Sequence, residues 1–174
     1  MPDRGKDTAF YDYREYGIAR RSNPARMKIL NRECAEFLVI DDDPALTRFL
    51  CAYLNHKGHT CAALTDGLQT TAWLEIHDCE VMVVDLNMPK VDGISLITYI
   101  RGIAPNLPII VFTGVGYEEE KMHAALRAGA NGYVSKNLPI EQLYCVLSRV
   151  LGTSRQGARR DSLVRTSPAL AGAA

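Results

Sequence analysis

Between residues 35 and 151, short unbroken apolar runs alternate with longer stretches in which apolar residues recur every three or four positions. Phe37-Leu38-Val39-Ile40 is one such run, followed by three aspartates. Unbroken runs suit strands covered on both faces, as in a parallel sheet. Asp43-Pro44 then predicts an N-cap with proline in the first helical turn. Leu46, Phe49, Leu50, Tyr53 and Leu54 follow at helical spacing, and Gly58 closes that helix. Thr60 to Leu64 reads as a second strand, followed by a helix with Leu68, Ala72 and Ile76 on one face. Val81 to Val84 is a third strand, ending at Asp85. Gly93 to Ile103 is helical, with Ile94, Ile97 and Ile100 in phase. Ile109 to Phe112 is a fourth strand, ending at Thr113. Residues 117–128 form a helix stopped by Gly129. Tyr133-Val134 is a short fifth strand ending at Lys136, and Ile140, Leu143, Leu147, Val150 and Leu151 mark the last helix.

Five strands alternating with five helices predict an α/β fold: a doubly wound, five-stranded parallel sheet between two helical layers. In such sheets the ligand site lies beyond the carboxyl ends of the strands. That rule gathers Asp41 and Asp42, Asp85, Thr113 and Lys136 at one edge. Carboxylates held about 4 Å apart repel by about 4 kcal/mol per pair at an effective dielectric near 20, and a divalent cation removes that cost. An all-oxygen donor set favours a hard cation, of which Mg²⁺ is the usual intracellular choice, and with no His or Cys it argues against zinc. Mg²⁺ and a lysine suit phosphoryl transfer, in which a carboxylate serves as nucleophile and gives an aspartyl phosphate. A threonine hydroxyl can donate to a phosphoryl oxygen, and a nearby aromatic can fill the space that its movement empties.

The segments FLVIDDDP, VVDLNMPKVDG, IIVFTG and GYVSK, in this order and each at a strand end, resemble the receiver domain of bacterial response regulators of two-component signalling, the CheY-like fold, over residues 35–151. The resemblance implies that Asp85 is the phosphoacceptor. It implies that Asp41 and Asp42 hold Mg²⁺ together with Asp85 and the backbone carbonyl of Asn87. Thr113 matches the switch hydroxyl and Lys136 the family's lysine. Tyr133 matches the aromatic that rotates on activation, although its place also fits an ordinary half-buried strand residue. Asn87 and Val115 lie where the family tunes the lifetime of the phosphorylated state. The implied partners are a sensor histidine kinase or phosphotransfer protein, and a downstream protein meeting the face of the fourth helix, fifth strand and fifth helix, here including Tyr117, His123, Tyr133 and Tyr144. A homodimer on activation is a further implication. The chain departs from the family at Asn137, where proline usually follows the lysine, often through a cis bond. The cost of a cis bond before a residue other than proline favours trans here.

Charge divides the chain differently from hydropathy. The net charge of zero splits into +3 over residues 1–34, −6 over 35–151 and +3 over 152–174. An acidic domain between basic ends predicts a flexible extension over 1–34, with Met27 as an alternative start, and a disordered tail over 152–174. Twenty-three residues after the domain cannot hold a helix-turn-helix, so a stand-alone regulator whose output is protein binding is the leading expectation. The alternatives are the receiver of a longer DNA-binding transcriptional regulator, and a phosphatase with an aspartate nucleophile, suggested by Asp41-x-Asp43. The leading expectation is a phosphoacceptor with slow self-phosphorylation and self-dephosphorylation, not a turnover enzyme. Five cysteines without a CxxC, no apolar run long enough to span a bilayer and no signal-type N-terminus predict a cytoplasmic protein that neither enters membranes nor binds nucleic acid directly. His56 and His59 with Cys51 and Cys61 bracket Gly58 and offer a zinc-type set, for which surface histidines are the plainer reading. Glu118 to Glu120 fits a solvated helix start.

Overall fold

The strands do turn into a single parallel sheet, and their unbroken apolar runs explain why. A computed structural model of the chain describes residues 34–114 and 119–165, with side chains through Gln156. The elements run β1 (Cys34–Ile40), α1 (Pro44–His56), β2 (Cys61–Leu64), a 3₁₀ turn (Gly67–Gln69) leading into α2 (Thr70–Ile76), β3 (Asp78–Val84), α3 (Gly93–Ile103), β4 (Ile109–Thr113), α4 (Glu119–Ala128), β5 (Gly132–Ser135) and α5 (Ile140–Arg165). The strand order is β2-β1-β3-β4-β5, and every pairing is parallel. Successive residues of a strand face opposite sides. Leu38, Ile40, Met82, Val84, Ile109 and Val111 therefore pack on one face against Leu74 of α2, Leu96, Ile97 and Ile100 of α3 and Ala125 of α4. Phe37, Val39, Val81, Val83, Ile110 and Phe112 pack on the other against Leu50 and Leu54 of α1 and Leu143, Leu147 and Leu151 of α5.

Local chemistry sets the helix starts at the site edge. The Asp43 carboxylate accepts from the N–H groups of Ala45 and Leu46 and caps α1, with Pro44 behind it. Asp92 caps α3 by accepting from Ser95 N–H and hydroxyl. Gly93 opens α3 directly against the backbone that carries Asp85. A Cβ there would stand 2.6 Å from Leu86 Cα and closer still to the Asp85 carbonyl. Arg101 fastens the far end of α3, donating to the carbonyls of Pro105, Leu107 and Gly129 and so tying α3 to the end of α4.

Four expectations are corrected. The helix after β2 buries Thr70, Thr71 and Leu74, not Ala72 and Ile76, because a 3₁₀ turn through Leu68 shifts its phase; Ile76 is 65% exposed. Residues 152–165 are helical, not a disordered tail. There the Arg155 guanidinium ties α5 to the start of β3 through two 2.8 Å hydrogen bonds to Glu80, and to Glu36 of β1. Tyr144 faces α1, not the face shared by α4 and β5: with Leu143 and Leu147 inward, its ring meets Tyr53 at 6.0 Å and His59 at 5.9 Å. Strand β1 also begins at Cys34, one residue inside the expected extension. Residues 1–33, Val115, Tyr117, Glu118 and 166–174, with the expectations resting on them, lie outside the described residues. Among the described residues no helix is long and apolar enough to cross a membrane.

Overpacking at the α3 entrance yields a test. Gly93→Ala should lower stability by about 1–3 kcal/mol, read as a lower urea midpoint at an unchanged slope.

Candidate functional site

The parallel ladder continues past the strand ends and sets the backbone of each site residue. Asp41 N–H donates to Leu64 carbonyl at 3.1 Å, Asp85 N–H to Ile40 carbonyl at 2.9 Å, and Lys136 N–H to Thr113 carbonyl at 2.8 Å. Asp41 and Asp85 are buried, at 2% and 5% exposure, and Asp42 is exposed. One carboxylate oxygen from each of Asp41, Asp42 and Asp85 lies within 4.8 Å of the other two, and this is the sole such acidic, His or Cys cluster among the described residues.

Each buried carboxylate divides its oxygens between backbone and ammonium. Asp41 Oδ1 accepts from Asp43 N–H at 3.1 Å, and Asp85 Oδ1 from Asn87 N–H at 3.4 Å. Lys136 Nζ bridges the two remaining oxygens, at 2.6 Å from Asp41 Oδ2 and 2.8 Å from Asp85 Oδ2. Burial raises the Asp41 pKa, and the neighbouring Asp85 charge adds to that; the Lys136 contact and the Asp43 N–H offset only part of it. For Lys136, burial disfavours the ammonium, but hydrogen bonds and charges from Asp41 and Asp85 outweigh it and raise its pKa.

This arrangement fits a hard divalent cation. The clustered donors are all carboxylate oxygens, two of them held by backbone, with the exposed Asp42 leaving a side open to solvent. Thr113 Oγ1 is fully buried and has no hydrogen-bond partner among the described residues, a vacancy in bonding that an incoming phosphoryl oxygen could fill. Gly114 is exposed beside Lys136, where a Cβ would lie 3.7 Å from Lys136 Cδ. Tyr133 sits one residue beyond Gly132 on β5, half-buried against the α3–α4 side of the sheet.

The rival constellations do not assemble. Asp43 is spent on the α1 cap, which leaves Asp41-x-Asp43 without a second free acid. His59 pairs with Glu36 at 2.9 Å, and His56 is exposed on α1. Cys51, Cys61, His56 and His59 form no metal-type cluster among the described residues. Sequence reasoning missed two residues near the site. Gly93 reads from sequence only as a helix start, and Ser135 carries no sequence reading of its own beyond its place in GYVSK. A serine two residues before a position that usually lacks an N–H was the available signal for the second.

The Lys136 bridge makes a pH prediction. A folded-state pKa above the unfolded value of about 10.4 gives stability that is full below that value and lost as pH rises through the folded one. Without metal, wild-type stability in urea should therefore fall more steeply above about pH 10.4 than that of Lys136→Met.

Known proteins resemble this chain in sequence and fold. The chain is 29% identical over 126 residues to response regulator MprA of Mycobacterium tuberculosis, covering 72% of this chain and 54% of that protein. It is 28% identical over 120 residues to transcriptional regulatory protein TcrA of the same species, covering 69% and 46%. The chain thus spans about half the length of these curated relatives. A Francisella response regulator receiver domain superposes with a TM-score of 0.63 at 26% identity, covering 69% of this chain and 98% of that one. NtrX from Brucella abortus superposes with a TM-score of 0.68 at 26% identity, covering 79% and 32%. Residues 37–148 match the family model of the response regulator receiver domain, and the chain belongs to that family.

Proposed function

We propose that Asp85 accepts a phosphoryl group from a phosphohistidine of a sensor kinase or phosphotransfer protein, and that the modified domain signals by changed protein–protein binding. The observation that carries this reading is the convergence, at a single sheet edge, of three carboxylates, one ammonium and one buried hydroxyl with no partner among the described residues. In this reading an Asp85 oxygen forms the new P–O bond as the donor's P–N bond breaks, and the imidazole departs with that electron pair. Asp41, Asp42, Asp85 and the Asn87 carbonyl would hold Mg²⁺, which when bound neutralises charge on the phosphoryl oxygens. Lys136 already lies on Asp85 and supplies a second positive charge to the incoming group. The Thr113 hydroxyl donates to a phosphoryl oxygen. Its movement makes room for Tyr133 to turn inward, and so reshapes the surface of α4 and β5 that carries the exposed His123. The chain is then a switch: one phosphoryl per molecule, slowly lost, without turnover of small-molecule esters. Two copies joining through the reshaped surface is one form the output takes.

A second reading makes this domain the receiver of a longer DNA-binding regulator. It is compatible with the half-length coverage of the curated relatives, one of them a transcriptional regulatory protein. Coding sequence continuing past Ala174 into a DNA-binding domain would select it.

Asp85→Asn should abolish labelling by acetyl phosphate with Mg²⁺ while leaving the circular dichroism spectrum unchanged; labelling that survives would refute the acceptor assignment. Chelation by EDTA should stop wild-type labelling and excess Mg²⁺ restore it. Lys136→Ala should slow labelling strongly, and in metal-free protein it should also lower the urea midpoint, because the buried Asp41 and Asp85 lose the ammonium they share.

A further inference from the structure

Lys136 reaches its two carboxylates from the tip of a tight turn, and that turn is closed on one residue. Leu138 N–H donates to the Ser135 carbonyl at 3.1 Å, so Lys136 and Asn137 are the central pair of a β-turn. Asn137 N–H, in turn, donates to the Ser135 hydroxyl at 3.2 Å. A proline at 137 would have no N–H for this bond. On its other side Lys136 is held by its own N–H to the Thr113 carbonyl, where Thr113 and Ser135 are register partners in the β4–β5 ladder. Ser135 is 7% exposed, so its hydroxyl meets little competing water. Three bonds thus fix the backbone from which a long, flexible side chain must place one ammonium on two acids. The Asn137 side chain itself is exposed and has no such role.

We propose that Ser135 is a positioning residue for Lys136: its hydroxyl, by holding the Asn137 N–H, fixes the turn that delivers the ammonium onto Asp41 and Asp85. The hydrogen bond supplies here the restriction that a ring would give at residue 137. The proposal rests on Lys136 serving phosphoryl transfer to Asp85, but its structural half stands without that step. A hydroxyl at residue 135 and an N–H at residue 137 become joint requirements, while the identity of the side chain at residue 137 becomes free.

The test uses the full chain in two states. In metal-free protein, the Lys136 ammonium, assigned by its loss in Lys136→Ala, should give an exchange-protected NMR signal in the wild type. Ser135→Ala should lose that protection, Ser135→Thr should keep it, and Asn137→Ala should keep it. With Mg²⁺ and acetyl phosphate, Ser135→Ala should slow labelling about five-fold, the scale of one lost hydrogen bond, and Ser135→Thr should restore the rate. A Lys136 signal equally protected in Ser135→Ala, or lost equally in Asn137→Ala, overturns the proposal. So does an unchanged labelling rate in Ser135→Ala. If Asp85→Asn still labels, the acceptor reading fails instead, while the metal-free NMR comparison still decides the role of Ser135.

Discussion

A parallel sheet points all its strand ends the same way, and here that geometry forces acids from distant stretches of chain into one small volume. Asp41 and Asp85 follow adjacent strands, β1 and β3, and each is locked in place by a backbone bond that prolongs the ladder. Their mutual repulsion at low exposure must be balanced, and one ammonium between them does it. The balance explains why Lys136 is held so far over the sheet edge, although its strand is separated from β3 by β4. It also explains why burial can raise the Asp41 pKa even with a lysine in contact: one positive charge is divided between two acids.

Tension of a different kind lies at Thr113. Its fully buried hydroxyl has no partner among the described residues, which is costly, and β4 carries it within reach of the same edge. The domain therefore holds two unsettled features at one place, an acid cluster with too few cations and a donor without an acceptor. A cation with a phosphoryl group, as in the proposed function, would address both together. Gly93 lets this happen close to the sheet, because only a residue without Cβ allows α3 to begin against the backbone of Asp85 and Leu86.

Most of the fold was legible because the strands are covered on both faces, and double burial writes itself as unbroken apolar runs. The site residues were legible for a related reason: polar groups that directly follow such a run have few structural duties. Where side chains face two environments, the code weakened. Around α2, a 3₁₀ turn displaced the helical phase, and no single residue between Asp66 and Thr71 announces that turn. Tyr144 looked like part of a surface, but the inward pair Leu143 and Leu147 turns it to α1, where His59 and Tyr53 receive it. The continuation of the C-terminal helix past Leu151 was not legible, because that segment is polar and rich in glycine and serine. What holds it is a tertiary ion pair with residues 75 and 119 positions away, which local composition cannot express.

That ion pair gives the two rims of the sheet opposite occupations. The carboxyl rim gathers the acids of the candidate site, while the amino rim uses its acids, Glu36 and Glu80, to grip the guanidinium of Arg155. As a result α5, about 39 Å long, is fastened to the two central strands at Arg155, about one turn past Leu151, its last residue in the core. One guanidinium thus spans β1 and β3 and ties the helix to both strands at once.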